Sequence, residues 1–354
     1  MDCDEATARS AMLVHDLGEA GVLQLVQGFC PPEVIGNDAA VCTVRSGYAL
    51  VVTADMLVDE VHFSDRTTSA YDVGWRSMAA NLSDIAAMAA TPIGVTISLG
   101  LPPMTPVGWV EGLYAGAVDC LQVGGFDVPI VGGDVCSSRV RTVSISAFGE
   151  VKPGLEIRRD RAVVGDAIVM TGLHGLSRLG LALLLDSERE ELRAVSLTDR
   201  DRAIAAHQRP RPRLDLVRQL QAWQEIGGNG DANAIAGMDS SDGLADAIEQ
   251  ICRASGVGSV LWRDQLLDLV KLGLPESRAL EWALYGGEDF ELVLCLPALL
   301  AQELVRVAGE GAAIIGEVTR SSEIVVMDRC GSGDKIRLDR RHGFQHFSMP
   351  DLPI

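Results

Sequence analysis

Aspartates that stand beside small residues recur along this chain, most of them directly after a short apolar run. They occur in the strings Ile35-Gly36-Asn37-Asp38, Val51-Val52-Thr53-Ala54-Asp55, Asn81-Leu82-Ser83-Asp84, Ile130-Val131-Gly132-Gly133-Asp134 and Met238-Asp239-Ser240-Ser241-Asp242-Gly243. Carboxylates at strand ends and helix starts are costly to gather unless a cation joins them, and no run of lysine or arginine follows these strings. Hard divalent cations that take oxygen ligands, Mg²⁺ above all, are therefore the natural partner.

Three of the motifs also have a purely structural interpretation. The segment from Asp239 to Gly243 is typical of a helix cap, although two acids at i and i+3 on a helix N-terminus can also hold metal while the N–H groups face phosphate. Gly132-Gly133-Asp134 is typical of a tight turn, although its glycines would also let the backbone approach a nucleotide. Gly286-Gly287-Glu288-Asp289 is typical of glycines that end a helix before a strand.

Asp84 is the most informative single acid. It lies inside a predicted helix that is rich in alanine, methionine and leucine, where there is little polar surface. An unpaired carboxylate buried there would destabilise the fold. From the residues alone, a metal-ligand role and a place on an exposed helix face both stay open.

The composition excludes several classes of partner. The chain has 354 residues, 47% of them hydrophobic, which is enough for two domains with large cores. Its net charge of −19 argues against nucleic acid or an anionic membrane surface. An anionic substrate is still compatible, because a bound metal reverses the local field. The lysines are Lys152, Lys271 and Lys335, and none follows a glycine, so the phosphate-binding loop that ends in Gly-Lys-Ser/Thr is absent.

The cysteines and the first residues predict a cytoplasmic protein. The eight cysteines are dispersed without a CxxC pair, which is typical of free thiols in a reducing cytosol. The first ten residues are acidic and lack the basic start and apolar stretch of a signal peptide. No apolar run is long enough to span a bilayer, so we expect no membrane association.

Familiar catalytic arrangements are missing from the sequence. The six histidines show no HExxH spacing, and there is no GxSxG elbow. His62 lies in Val61-His62-Phe63, where a packed or surface histidine is the ordinary interpretation and a substrate contact is the alternative. We therefore predict no side-chain nucleophile or general base, and expect metal-assisted chemistry instead.

Strands and helices alternate in the first half of the chain. We predict strands over residues 39–44, 48–53, 94–99, 128–131 and 142–151, and helices over 71–90 and 106–124. This mixture indicates an α/β domain over residues 1–155. A second domain over residues 156–354 is predicted to contain strands at 166–171 and 290–296 and helices at 175–186, 214–224, 241–255 and 275–285.

Five strings carry a clear resemblance to a known family. In order, they are VVTADMLVDEVHF, NLSDIAAMAATP, IVGGD, MDSSDGL and WALYGGEDFEL. Together they resemble the thiamine-monophosphate kinases, which belong to the aminoimidazole-ribonucleotide synthetase superfamily. The resemblance runs from about Gly36 to the closing segment 343–347. Each string is short, but their joint order and spacing are specific.

The resemblance implies an Mg²⁺-dependent transfer of a phosphoryl group from ATP to thiamine monophosphate. It also implies an α/β N-terminal domain that forms a homodimer through its sheet, followed by an α+β C-terminal domain. The positions that match the family's Mg²⁺ ligands are Asp38, Thr53, Ala54 through its backbone oxygen, Asp55, Asp84, Asp134, Asp239 and Asp242. Those that match its ATP contacts are Tyr114, Gly133, Asp134, Arg159 and Ser241. Those that match its thiamine-phosphate contacts are His62, Glu288 and Phe344.

The chain departs from the family pattern at a few positions. Asn37 replaces the first of two consecutive acids, Val135 stands where threonine often follows Gly-Gly-Asp, and the pair at 163–164 replaces a usual Lys-Pro. None of these changes removes an implied ligand. Two other classes stay open: another ATP-dependent enzyme of the superfamily, of the selenophosphate or aminoimidazole-ribonucleotide synthetase type, and a non-catalytic nucleotide-binding protein.

Overall fold

A computed structural model describes residues 9–32, 34–35, 38–227, 235–330, 335–339 and 342–343. Its contacts divide the chain into two compact units. The first unit comprises Met1–Glu156 and Gln208–Asn229, and the second comprises Ile157–His207 and Gly230–Ile354. The sequence predicts one boundary near residue 155, whereas the chain also returns to the first unit at Gln208. The returning segment contains the helix Leu214–Gly227. This amphipathic helix is stabilised by burying its apolar face on the core of the first unit.

The elements of the first half are α1 (Val14–Gln27), β1 (Ala49–Val58), α2 (Ala70–Ala87), β2 (Thr91–Leu101), α3 (Val107–Leu121), β3 (Ile130–Ser137) and β4 (Thr142–Val151). Those of the second half are β5 (Ala167–Met170), α4 (Leu176–Leu185), α5 (Leu197–Gln208), α6 (Leu214–Gly227), β6 (Ala236–Asp239), α7 (Leu244–Ser255), β7 (Gly258–Trp262), α8 (Asp268–Lys271), α9 (Glu276–Tyr285), β8 (Leu292–Leu296), α10 (Ala298–Ala308), β9 (Ala313–Thr319), β10 (Ile324–Met327) and β11 (Ile336–Arg337).

The sheet of the first unit has the order β1-β4-β2-β3, in which only the pair β2/β3 is parallel. Helices α2 and α3 pack closely together. A Cβ placed on Gly74 would lie 1.8 Å from Leu113 O, and one on Gly116 would lie 1.9 Å from Tyr71 O. Glycine at both positions therefore brings the two helix backbones into contact, and α2 packs in turn on β1 and β4.

Two local predictions in this unit are wrong. Residues 39–44 form no strand, although their pattern favours one. In the described part of the chain they pair with neither edge strand of this sheet, β1 or β3. Gly132-Gly133-Asp134 is not a turn but the middle of β3, because β3 stays paired with β2 as far as Ser137. Asp55 likewise lies inside β1 and not at its end.

The second unit has a seven-stranded sheet in the order β11-β10-β7-β9-β5-β8-β6. Its main core lies between these strands and helices α7 and α9. A smaller core joins α4, α5 and the segment around α8. The predicted fold class, an α/β domain followed by an α+β domain, is confirmed by these two mixed layers. Among the described residues, no helix is both long enough and apolar enough to cross a membrane.

Candidate active site

Oxygen atoms from β1 and α2 meet on the helix-covered face of the first sheet. Thr53 and Asp55 point to the same face of β1 because they are two residues apart. Thr53 Oγ1 donates a hydrogen bond of 2.5 Å to Asp84 Oδ2, and the backbone N–H of Asp55 donates one of 3.1 Å to Asn81 Oδ1. Asn81 is fully buried, whereas Asp84 is only partly buried. The structure therefore brings three predicted metal ligands together, with Asn81 fixing the strand beside them.

Asp134 points to the opposite face of the same sheet. It pairs with Ser98 of β2, whereas its neighbour Val135 pairs with Leu99, and both members of that second pair are buried. Because side chains alternate along a strand, Asp134 lies on the face that α2 does not cover. Asp134 itself is exposed. The first unit thus keeps Asp134 apart from the group around Asp84.

A cavity of about 490 Å³ in the first unit gathers three other predicted residues. Asp38, Tyr114 and Gly133 all line it. Burial raises the pKa of Tyr114, so its phenol stays protonated at neutral pH. A Cβ on Gly133 would lie 1.8 Å from Ile97 O, so glycine is required for strand pairing there. The cavity is large enough for part of a nucleotide, and two of its lining residues are predicted ATP contacts.

In the second unit, the predicted ligand Asp239 is the buried last residue of β6, and the predicted ligand Asp242 is exposed on the turn between β6 and α7. The backbone N–H of Ser240 donates to Glu291 O at 2.9 Å, and Ser240 Oγ lies 2.8 Å from His174 Nε2. Helix α7 begins at Leu244, and its N-cap is Gly243, with a φ of 105°. The helix predicted over residues 241–255 therefore begins three residues later than predicted. The two acids lie before the helix and not in its first turn.

The segment from Gly287 to Phe290 wraps around this turn. The backbone N–H of Glu288 donates to Ser241 O at 2.7 Å. Both Glu288 and Phe290 have a left-handed backbone, with φ values of 58° and 51°. Such a conformation costs on the order of 1–3 kcal/mol in a residue other than glycine and persists only where the surroundings enforce it. Glu288 Oε2 also lies 3.8 Å from Nδ1 of the buried His207.

Asp289 stabilises the start of helix α4. Its carboxylate accepts hydrogen bonds from the backbone N–H of Gly175 at 2.6 Å and of Ser177 at 2.9 Å. Burial raises the pKa of Asp289 to about 7, although these two donors oppose the shift. Gly286 is the C-cap of α9, which agrees with the structural interpretation of the Gly-Gly pair. The two acids after this glycine pair contact different neighbours. Glu288 lies near His207, and Asp289 bonds to the start of α4.

His62 lies in a turn after β1. Its Nδ1 accepts a hydrogen bond of 3.1 Å from the backbone N–H of Val58. An accepting Nδ1 carries no proton, so the ring proton is on Nε2. The residue is half-buried, between an exposed Val61 and a buried Phe63.

Two predicted substrate contacts, Arg159 and Phe344, are not among the residues described so far. Arg159 Nη1 donates to Gln250 Oε1 at 2.7 Å, six residues beyond the start of α7 and about 9 Å along its axis. The structure therefore does not bring Arg159 beside Ser241. Phe344 lies outside the described residues.

The donor atoms present are those that a hard cation prefers. Within the described ranges, no three side chains of His, Cys, Asp or Glu converge on one point. The group in the first unit instead combines the carboxylates of Asp55 and Asp84 with the hydroxyl of Thr53, and oxygen donors of this kind fit Mg²⁺. Sequence reasoning missed Asn81, His174 and Asp289 as supports of the site. Of these three, only Asn81 had a signal in the sequence, because it is a polar residue three positions before Asp84 in the same helix.

Two family models match successive parts of the chain. The first half matches the family model for the AIR synthase related protein, N-terminal domain, over residues 36–151. The second half matches the model for the AIR synthase related protein, C-terminal domain, over residues 163–329. Fold and site thus define a protein of the AIR synthase related class.

Individual relatives narrow the class. The thiamine-monophosphate kinase of Synechococcus elongatus is 48% identical over 95% of this chain and 98% of its own. The crystal structure of thiamine-monophosphate kinase from Stenotrophomonas maltophilia has a TM-score of 0.71 at 32% identity, covering 82% of this chain and 89% of its own. The structure of AaThiL complexed with AMPPCP and TMP has a TM-score of 0.65 at 29% identity, covering 92% and 98%. The chain therefore belongs to the thiamine-monophosphate kinase family.

Proposed function

We propose that this protein is an Mg²⁺-dependent kinase that transfers the γ-phosphoryl group of ATP to thiamine monophosphate, which gives thiamine diphosphate. The observation that carries the proposal is the 48% identity to the Synechococcus elongatus thiamine-monophosphate kinase over 95% of the chain. The neighbouring structure of AaThiL complexed with AMPPCP and TMP supports the same pair of substrates. The oxygen donors grouped around Asp84 in the first unit suit a reaction of phosphate groups.

The acceptor explains why no general base is needed. The second pKa of a phosphate monoester is about 6, so the attacking oxygen of thiamine monophosphate is already largely anionic near neutral pH. The protein has to bind and align two anions, not to remove a proton. Bound Mg²⁺ would neutralise their repulsion and help hold donor and acceptor in line.

We assign the roles of the side chains as the resemblance implies. The proposed Mg²⁺ ligands are Asp38, Thr53, the backbone oxygen of Ala54, Asp55, Asp84, Asp134, Asp239 and Asp242. The proposed ATP contacts are Tyr114, Gly133, Asp134, Arg159 and Ser241. The proposed thiamine-monophosphate contacts are His62, Glu288 and Phe344. The hydrogen bond between Thr53 and Asp84 supports the first set, because it keeps a carboxylate oriented next to Asp55.

We also propose that the protein is a homodimer joined through the sheet of the first unit. Leu50, Val52 and Met56 alternate along β1 on the face that α2 does not cover, and each is more than half exposed. Exposed apolar residues along a strand of this kind indicate a protein interface. Light scattering should give twice the 37.7 kDa mass of one chain at micromolar concentration. A stable monomer would contradict the proposal.

The cysteines support a reducing cytoplasm as the location. The described part of the chain has seven cysteines, and all are free thiols: Cys30, Cys42, Cys120, Cys136, Cys252, Cys295 and Cys330.

One turnover assay tests the function. The full chain is incubated with ATP, Mg²⁺ and thiamine monophosphate, and thiamine diphosphate is followed by chromatography. Unphosphorylated thiamine serves as the control acceptor, because it lacks the attacking phosphate oxygen. Stoichiometric ADP and thiamine diphosphate are expected. ATP binding without turnover would instead favour a non-catalytic nucleotide-binding protein.

A further inference from the structure

The turn that carries His62 is tightly folded. The backbone N–H of His62 donates to Val58 O at 2.9 Å, and the N–H of Glu60 donates to Phe63 O at 2.8 Å. Glu60 has a left-handed backbone with a φ of 61°. A non-glycine residue keeps this conformation only when neighbouring contacts hold it.

Arg141 supplies those contacts from the segment just before β4. Its backbone oxygen accepts from the N–H of Asp59 at 2.9 Å. Its guanidinium donates from Nε to Asp59 Oδ2 at 2.8 Å and from Nη1 to Asp65 Oδ1 at 2.7 Å. Asp59 precedes His62 and Asp65 follows it. One side chain therefore bonds to the turn on both sides of the histidine.

The same guanidinium is also packed against aromatic rings. Its Cζ lies 5.9 Å from the ring centre of Phe63 and 5.2 Å from that of Trp109. Both distances fall within the range of cation–π attraction. The side chains of Arg141 and Asp59 are 13% and 14% exposed, whereas that of Asp65 is 75% exposed. The pair with Asp59 is thus the shielded one, and the pair with Asp65 faces solvent.

We infer that Arg141 is a positioning residue for thiamine-monophosphate binding, because it holds the turn that presents Nε2 of His62. The inference rests on the proposed function, in which His62 contacts the acceptor. A planar guanidinium is needed because it must bond to two carboxylates and stack on rings together, which an ammonium group does not do.

The test uses Arg141→Gln and Arg141→Lys in the full-length protein. Arg139→Gln is the matched control, because it removes the same charge from an exposed arginine two residues away. Both Arg141 variants should raise KM for thiamine monophosphate by about tenfold or more, the scale for displacing a group that orients substrate. KM for ATP should change less than twofold, and the control should leave both constants unchanged. Arg141→Lys keeps a cation beside the shielded Asp59. A raised KM in this variant therefore cannot be attributed to misfolding caused by an unpaired carboxylate.

A double-mutant cycle with His62→Ala decides whether Arg141 acts through His62. If it does, Arg141→Gln will raise KM for thiamine monophosphate no further in the His62→Ala background. Effects that multiply in the double variant would overturn the inference. So would a lower melting temperature with an unchanged KM, because that pattern describes a residue that only stabilises the fold.

A spectroscopic measurement separates this inference from the proposed function. The ¹⁵N shifts of the His62 ring report the unprotonated Nδ1 that accepts from Val58, whether or not the protein turns over any substrate. Arg141→Gln should shift or broaden these signals, and Arg139→Gln should not. If the signals are identical in both variants, Arg141 does not position His62. If they respond but the wild type makes no thiamine diphosphate, the proposed function fails while the positioning role stands.

Discussion

Thr53 on β1 and Asp84 on α2 are joined by a hydrogen bond of 2.5 Å from Thr53 Oγ1 to Asp84 Oδ2. The two residues are 31 positions apart in the chain, and the bond crosses from the strand to the helix that covers it. It orients a carboxylate inside a helix most of whose residues are buried. The sequence left open whether Asp84 lies on an exposed helix face. In the structure its side chain faces strand β1 and not bulk solvent.

Asp84→Asn should reduce turnover far more than stability. The amide oxygen of asparagine can still accept from Thr53 Oγ1, so the strand–helix contact is kept. The negative charge for a cation is lost, and we expect the Mg²⁺ requirement to rise by about 10- to 100-fold, the range seen when a metal site is weakened. Titration of activity with Mg²⁺ measures this, and Asp127→Asn in an exposed loop is the control. An unfolded Asp84→Asn variant would show that Asp84 is mainly structural.

Activity should disappear when divalent metal is removed. The clustered acids cannot face the phosphates of ATP without a cation, because the repulsion would be uncompensated. EDTA should abolish formation of thiamine diphosphate, and excess Mg²⁺ should restore it. Full activity after exhaustive removal of metal would contradict the proposed mechanism.

Glu288→Gln should impair use of thiamine monophosphate and leave ATP binding nearly intact. An ionised glutamate only accepts hydrogen bonds, so it suits an amino group or a cationic ring. Losing that contact should cost about 1–3 kcal/mol, which is about 5- to 150-fold in kcat/KM. Steady-state kinetics with each substrate varied in turn measures the effect. Glu281→Gln, exposed on the preceding helix, is the control. Unchanged kinetics for both substrates would remove Glu288 from the site.

The types and order of the elements could largely be predicted from the sequence. The helix predicted over residues 71–90 is α2, and the one predicted over 106–124 is α3, with ends that differ by a few residues. Their apolar periodicity and their flanking prolines are local signals. Residues 39–44 show the limit of such signals, because a strand also needs a partner strand, which the local pattern does not specify.

The arrangement of the site depends on pairings between distant segments. Asp55 and Asp134 face opposite sides of one sheet, because the strand registers place Asp55 in line with Gly133 and not with Asp134. Asp289 caps a helix that begins more than a hundred residues earlier. The alternation of polar and apolar residues within a single strand predicts neither of these relationships. The sequence could therefore name the acids but not divide them between faces.

Gly133→Ala should destabilise the first unit, whereas Gly132→Ala should not. A Cβ on Gly133 would lie 1.8 Å from Ile97 O, so the parallel pair β2/β3 would have to separate. The nearest atom to a Cβ on Gly132 is Thr96 Cγ2 at 3.8 Å, an ordinary contact. We expect a loss of about 1–3 kcal/mol for the first variant, the usual cost of overpacking. Urea unfolding of both variants tests this, and equal midpoints would contradict it.

The last prediction concerns how stability changes with pH. The pKa of Asp289 is about 7 in the folded protein against an ordinary value of 3.8, because burial disfavours its charged form. Between these two values the folded state binds more protons than the unfolded state, so Asp289 lowers stability as the pH rises. Asp289→Asn cannot titrate. The stability of the wild type relative to this variant should therefore fall by about 1–3 kcal/mol between pH 5 and pH 8. Urea unfolding without Mg²⁺ or nucleotide measures the difference at each pH, with the exposed Asp264→Asn as the control. A difference that is constant with pH, or one that grows in favour of the wild type, would show that Asp289 is already ionised at pH 5.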